Sequence, residues 1–207
     1  MRVNRENFEV VQAASNDGTR YALCSVYFDG YGTVATNGAM LATVSYPDQG
    51  SDDDLPKGLP VGKIADLKPF AVGVDAVKAL TRAIPKTTSL PILKYLYVDV
   101  DRTNADGSAT FAATDLETQS NPTVAKVEGL FPPYEQVIPK EKDLCEKVGY
   151  NPAVVAKAFA IVSKVMGSKQ AGCVVRMGRE PSQPMIIEGR NADTGQTVRV
   201  VVMPMRL

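Results

Sequence analysis

The chain contains no histidine and no tryptophan, so its chemistry must come from carboxylates, lysines, arginines, tyrosines and three cysteines. Without imidazole there is no Ser-His or Cys-His nucleophile pair, no ordinary general base near neutrality, and none of the commonest metal ligand. Cys24, Cys145 and Cys173 lie far apart and lack Cys-x-x-Cys spacing. They predict buried reduced thiols in place of a disulfide framework or a thiolate zinc site. Asp52-Asp53-Asp54 lacks the glycine and distal glutamate of a calcium loop and reads as a solvated loop. Asp115 and Glu117 sit at the end of an expected strand, an ordinary place for solvated acids. No Gly-x-Gly-x-x-Gly or P-loop pattern occurs. The expectation is a non-enzyme with no cofactor and no metal.

What remains is cationic. Lys78 and Arg82 stand at i and i+4, with Lys86 beyond. Lys157 and Lys164 share a narrow stripe with Ala153 and Ala160, with Lys169 just past it. Small residues between cations let phosphates approach a helix surface, so Lys78, Arg82, Lys157 and Lys164 form a candidate phosphate-contacting set that reads no bases. A solvated face of an amphipathic helix gives the same pattern, and the two readings stand side by side. With 23 basic and 23 acidic residues, such an affinity must be local, since no global field drives it.

These residues need helices and sheets to place them. Length (207 residues), 44% hydrophobic content and 22% charge give one large domain or two small ones with a real core. Three helical stretches are expected. The first is capped by Asn4, with Phe8, Val11 and Ala14 at helical spacing. The second follows Gly73, with Val77, Leu80 and Ile84 inward. The third runs from Pro152 to an αL cap at Gly167. Strands are expected over residues 21–29, 33–46, 94–101, 109–113, 173–177, 185–188 and 197–203. The order strand, helix, three strands thus recurs from near residues 1, 70 and 146. Ala35-Thr36-Asn37 matches Ala113-Thr114-Asp115 in equivalent places, which supports one unit laid down repeatedly. No stretch has signal-peptide character or the roughly 18 apolar residues of a membrane span, so a soluble cytoplasmic protein is expected.

Two segments are unusually apolar. The linker Gly129-Leu130-Phe131-Pro132-Pro133-Tyr134-Glu135-Gln136-Val137-Ile138-Pro139 is too hydrophobic to swing freely and is expected to pack along a surface. The ending Val200-Val201-Val202-Met203-Pro204-Met205-Arg206-Leu207 is either a core strand or the wall of a hydrophobic groove.

The ending Val-Val-Met-Pro-Met-Arg-Leu resembles that of the bacterial sliding clamp, the beta subunit of DNA polymerase III. The linker from Val127 to Pro139 is similar to the connector between the clamp's middle and last domains. Arg20-Tyr21 with residues 26–28 and 34–42 is similar to a strand pair of the middle domain, and Leu90 to Leu93 with Ala113 to Glu117 to an element of the first. The resemblance implies an α+β DNA-clamp fold of βαβββ units, helices on one face and antiparallel sheets on the other. It implies two such units over residues 1–139 and a third over 140–207. It also implies a processivity factor that encircles DNA and binds DNA polymerase, the clamp loader and other proteins carrying clamp-binding peptides. The peptide groove would draw on Thr36, Gly38, Met40, Leu41, Pro132, Val137, Met203, Pro204, Met205, Arg206 and Leu207. Ala39-Met40 stands where the family has His-Arg, a departure in the groove's polar rim. Three units are half the family's complement, so a closed ring would take four copies, and a homo-oligomer is expected. The competing expectation is a clamp-like peptide-binding adaptor that does not encircle DNA.

Overall fold

The computed structural model describes residues 1–49, 58–60, 62–84, 91–138, 147–167, 172–192 and 197–205. Two compact bodies are present, Met1–Gln136 and Val137–Leu207. The expected Asp52-Asp53-Asp54 loop, Lys86, Pro139, Cys145, Lys169, Arg206 and Leu207 lie outside the described residues.

The first body holds two repeats. The first comprises β1 (Arg2–Asn4), α1 (Arg5–Phe8), β2 (Ser25–Phe28), β3 (Gly32–Thr36) and β4 (Leu41–Ser45). The second comprises β5 (Phe70–Gly73), α2 (Val74–Ala83), β6 (Tyr95–Val98), α3 (Val100–Ala105), β7 (Ser108–Thr114), β8 (Gln119–Ser120) and β9 (Thr123–Ala125). The repeats exchange their leading strands. β1 pairs with β6 and completes the sheet β1-β6-β7-β8, in which β7 also pairs with β9, while β5 pairs with β2 and completes the sheet β4-β3-β2-β5. Each sheet therefore needs both repeats, and they share one core. Phe8 and Phe28 from the first repeat meet Phe70 and Phe111 from the second, with Phe28 stacked on Phe70 at 4.8 Å.

The second body is a third repeat: α4 (Pro152–Met166), β10 (Val174–Arg176), β11 (Met185–Arg190) and β12 (Thr197–Val202), in the sheet order β10-β11-β12. Its core is Ala158, Val162, Met166, Met185, Ile187 and Val202. Asn151 caps α4, its side chain accepting from the Ala153 and Val154 amides, with Pro152 at the first turn and Gly167 closing the helix at φ 71°.

Several expectations are corrected in detail. Asn4 caps α1 as expected, in a reciprocal arrangement with Asn7. Beyond Phe8, however, the chain tightens to a 3₁₀-helix over Glu9–Ala13, so Val10 and Ala13 are buried and Val11 only partly. Residues 18–23 are also 3₁₀, and strand character begins at Ser25, because Asp17 accepts from the Thr19 amide and starts a helical turn. The strand expected over 33–46 is a hairpin, folded at Asn37-Gly38. The one expected over 94–101 stops at Val98. Asp99 leaves the alternation to cap α3, accepting from the Arg102 amide at 3.1 Å.

Candidate functional site

The exposed face of α2 carries Asp75, Lys78, Ala79, Arg82 and Ala83, while Val77 and Leu80 face the core. Lys78 and Arg82 therefore point away from the sheets, as a phosphate-contacting face requires. The stripe also carries an acid. Asp75 lies one turn before Lys78, with its carboxylate 3.5 Å from the ammonium. Both side chains are well exposed, so the pair contributes well under about 1 kcal/mol and is screened by salt. It lowers the local positive field without removing it. On α4, Ala153, Lys157, Ala160 and Lys164 are all exposed, with no ion pair to either lysine among the described residues.

The apolar residues expected in a groove divide between the two bodies. On the first, Thr36, Gly38, Met40 and Leu41 meet at the β3–β4 hairpin. The Thr36 hydroxyl donates to the Met40 carbonyl at 2.7 Å and accepts from the Gly38 amide at 3.1 Å. Asn37 accepts from the Ala39 and Met40 amides, and Gly38 sits at φ 89°. This closed turn holds Met40 out in solvent at 53% exposure. The equivalent turn of the second repeat is built the same way. Thr114 accepts from the Leu116 amide and donates to the Thr118 carbonyl, and Asp115 accepts from the Glu117 and Thr118 amides. The matched tripeptides thus encode one turn, used twice. The Thr118 amide and hydroxyl, bonded to the Asp115 carboxylate, hold its pKa below the usual range, as a structural acceptor's would be.

The connector packs on this body as its composition predicts. Phe131 stacks on Tyr27 at 4.7 Å, Tyr134 meets Tyr27 edge-on, and the buried Tyr134 hydroxyl donates to Asp29 at 2.6 Å. Asp29 also accepts from the Tyr31 and Gly32 amides, so its buried carboxylate is satisfied from both sides. Between these anchors, Leu130 is 95% exposed and Pro132 is exposed. Gly129, at φ 107°, brings its backbone so near the Tyr21 ring that a Cβ would lie 2.9 Å from the hydroxyl. A Cβ on Gly38 would be 3.6 Å from the Arg20 guanidinium. Tyr21 thus lies close against the connector backbone at Gly129, and the Arg20 guanidinium lies near the hairpin tip at Gly38. Sequence reasoning missed Tyr21 and Leu130 as surface contributors, because Tyr21 was assigned to a strand and Leu130 to the packed part of the linker.

On the second body, Val137, Met203 and Met205 are exposed and Pro204 is half-buried. The tail is not free of backbone pairing, since the Met205 amide donates to the Gly149 carbonyl at 2.9 Å. A cleft of about 680 Å³ also opens on this body, away from the tail. Met166, Val174, Glu188, Arg190 and Arg199 are among its walls, with Glu188 held by Arg176 and Arg199. Among the described residues no three histidine, cysteine or acidic side chains converge as a metal site, and no helix is long and apolar enough to cross a membrane.

No protein-family model matches the chain, and no curated protein matches it either. Solved structures do. DNA polymerase III subunit beta from Borrelia burgdorferi, solved with a natural product, aligns at TM-score 0.61 and 14% identity over 98% of this chain and 47% of its own. A putative DNA polymerase III beta subunit from Eubacterium rectale aligns at TM-score 0.60 and 8% identity over 99% of this chain and 50% of its own. The fold is that of the beta clamp.

The chain spans about half the length of the clamp structures it matches. The resemblance read from the tail and connector is therefore matched by a likeness that runs through all three repeats. The strand exchange in Met1–Gln136 shows how two such repeats make one compact body.

Proposed function

We propose that this chain is a clamp-like processivity factor, a non-catalytic tether that surrounds double-stranded DNA and holds a polymerase by a peptide. The clamp fold over nearly the whole chain carries this reading. The exposed cations Lys78, Arg82, Lys157 and Lys164 lie on helix faces opposite the sheet-packed sides and are the DNA contacts. They meet phosphates and read no bases, so the protein slides. The peptide contacts are Thr36, Gly38, Met40, Leu41 and Pro132 from the first body, and Val137, Met203, Pro204, Met205, Arg206 and Leu207 from the second, and among them Met40, Pro132, Val137, Met203 and Met205 are exposed. An extended apolar segment suits such surfaces, with micromolar affinity as the rough expectation for a peptide ordered on binding. Polymerase, clamp loader and other proteins with clamp-binding peptides are the proposed partners.

Retention on circular against linear DNA, with a charge-reversed variant (Lys78, Arg82, Lys157 and Lys164 each to Glu), tests the tether. Retention on circles, escape from linear ends and loss in the variant are expected, with log K falling by about 0.9 per neutralised phosphate per decade of salt. Equal retention on both DNAs rejects encirclement, and an unaffected variant removes these four cations as the DNA contacts. Peptide binding preserved under that outcome would favour an adaptor. Calorimetry with a clamp-binding peptide tests the second contact set. Leu41→Asp should abolish binding, because a carboxylate would be desolvated against an apolar side chain.

A further inference from the structure

We propose that the third repeat pairs with the third repeat of a second copy about a twofold axis. In this pairing the segment before α4 of each copy adds to the open edge of β10 of the other. The inference concerns self-association and does not depend on DNA or peptide binding.

The first body supplies the template. Each of its leading strands lies between two neighbours. One is the second strand of the sister repeat: β1 on β6, and β5 on β2. The other is the trailing end of its own repeat. The Gln49 side chain bonds both backbone groups of Arg2, and the Val127 amide donates to the Ala71 carbonyl at 2.9 Å. The third repeat has only the second kind of neighbour, in the Met205 amide on the Gly149 carbonyl. Among the described residues no strand occupies the sister side of residues 148–150, and β10 pairs only with β11. Two complementary edges are left open on one repeat.

The side chains along these edges carry the mark of a missing layer. In the first body the strands equivalent to β10 are buried, with Val26, Phe28, Leu96 and Val98 all at 0% exposure. β10 is exposed throughout, with Val174 at 57% and Val175 at 42%. Counted from the helix caps Gly73 and Asn151, the position of Thr81, which faces α1 across a shared cleft, is taken in α4 by Phe159. Phe159 is 40% exposed and has the small Ala156 and Ser163 beside it. An aromatic flanked by small residues fits a helix of like kind. The lysine stripe of α4 points elsewhere and stays outside this contact.

A second copy is the occupant that satisfies both edges at once. The contact from residues 148–150 to β10 and its reverse are the same contact, so the pair closes at two with both of these edges filled. The template also sets the register. Val3 lies opposite Leu96 and Val72 opposite Val26, each just before its helix cap, so Tyr150 should lie opposite Val175 of the other copy.

Sedimentation equilibrium of the full chain without DNA tests the pairing. A dimer or a higher even species is expected, with its mass halved by Phe159→Glu combined with Val175→Lys. A monomeric wild type at about 100 μM, or a variant of unchanged mass, overturns the proposal. Should that variant fail to fold, cysteines at Tyr150 and Val175 in an otherwise wild-type chain decide the matter. Under mild oxidation the double variant should form a disulfide-linked dimer beyond the wild-type background and beyond either single variant. Absence of that excess overturns it as well.

Discussion

Asp29 shows how one buried carboxylate organises a surface. It closes the turn before β3 through the Tyr31 and Gly32 amides, and its other oxygen receives the Tyr134 hydroxyl, which pins the connector. Tyr46 donates to its carbonyl from a third direction. Burial, with Asp29 nearby, raises the pKa of both tyrosines above the ordinary value of 10. A raised folded-state pKa stabilises below the unfolded value and is lost as pH rises past it. The contribution of these tyrosines should therefore be constant up to about pH 10 and fall above it, and Tyr134→Phe should flatten part of that fall. At neutral pH the same variant should cost about 1 to 3 kcal/mol, since Asp29 keeps an acceptor without its donor. Urea unfolding at several pH values measures both. A second residue-scale case is Leu116, which occupies φ 77° where its counterpart Gly38 has 89°. Leucine is strained there by roughly 1 kcal/mol, and asparagine tolerates the region. Half-exposed Leu116 gives up little burial, so Leu116→Asn should raise Tm by a few degrees.

Among the elements, α4 differs from the helices of the first body. It runs 15 residues with a complete cap at each end, whereas α1 gives way to 3₁₀ geometry after four. Buried Ala158, Val162 and Met166 make one narrow seam, and the apolar shoulders Val154, Phe159 and Ile161 remain exposed. A helix with so little of its surface packed leans on its caps. Asn151→Ala should therefore cost about 1 kcal/mol, detected as a lowered transition of the second body in scanning calorimetry. An unchanged profile would mean that packing alone sets the helix start.

For the whole molecule, strand exchange is the decisive feature. β1 and β5 each belong to a sheet of the other repeat, so neither repeat of Met1–Gln136 can unfold without exposing the other's core. A fragment ending at residue 138 should thus fold in one cooperative transition, with Phe131 and Tyr134 still docked. Far-ultraviolet circular dichroism against temperature checks this, and a broad, non-cooperative melt would contradict it. A fragment of the first repeat alone should not fold, because its sheet lacks β5 and its core lacks Phe70 and Phe111.

The sequence was enough to place the repeats, α2 and α4, the caps at Asn4 and Gly167, and the packing of the connector. Those features rest on local signals: periodicity, cap residues, turn tripeptides and an apolar linker. It was not enough for the 3₁₀ stretches and α3, where single side-chain acceptors on Asp17 and Asp99 override an alternating pattern. For the candidate sites, residue types pointed to the cations of α2 and α4, and the family resemblance pointed to the Met40 hairpin. The Asp75 partner of Lys78 became visible only once one helical turn brought the two together. The strand exchange, the close approach of Gly129 to Tyr21, and the open edge of β10 belong to tertiary structure alone. Each joins backbone segments distant in sequence, and strand pairing between them leaves no periodic trace in either segment.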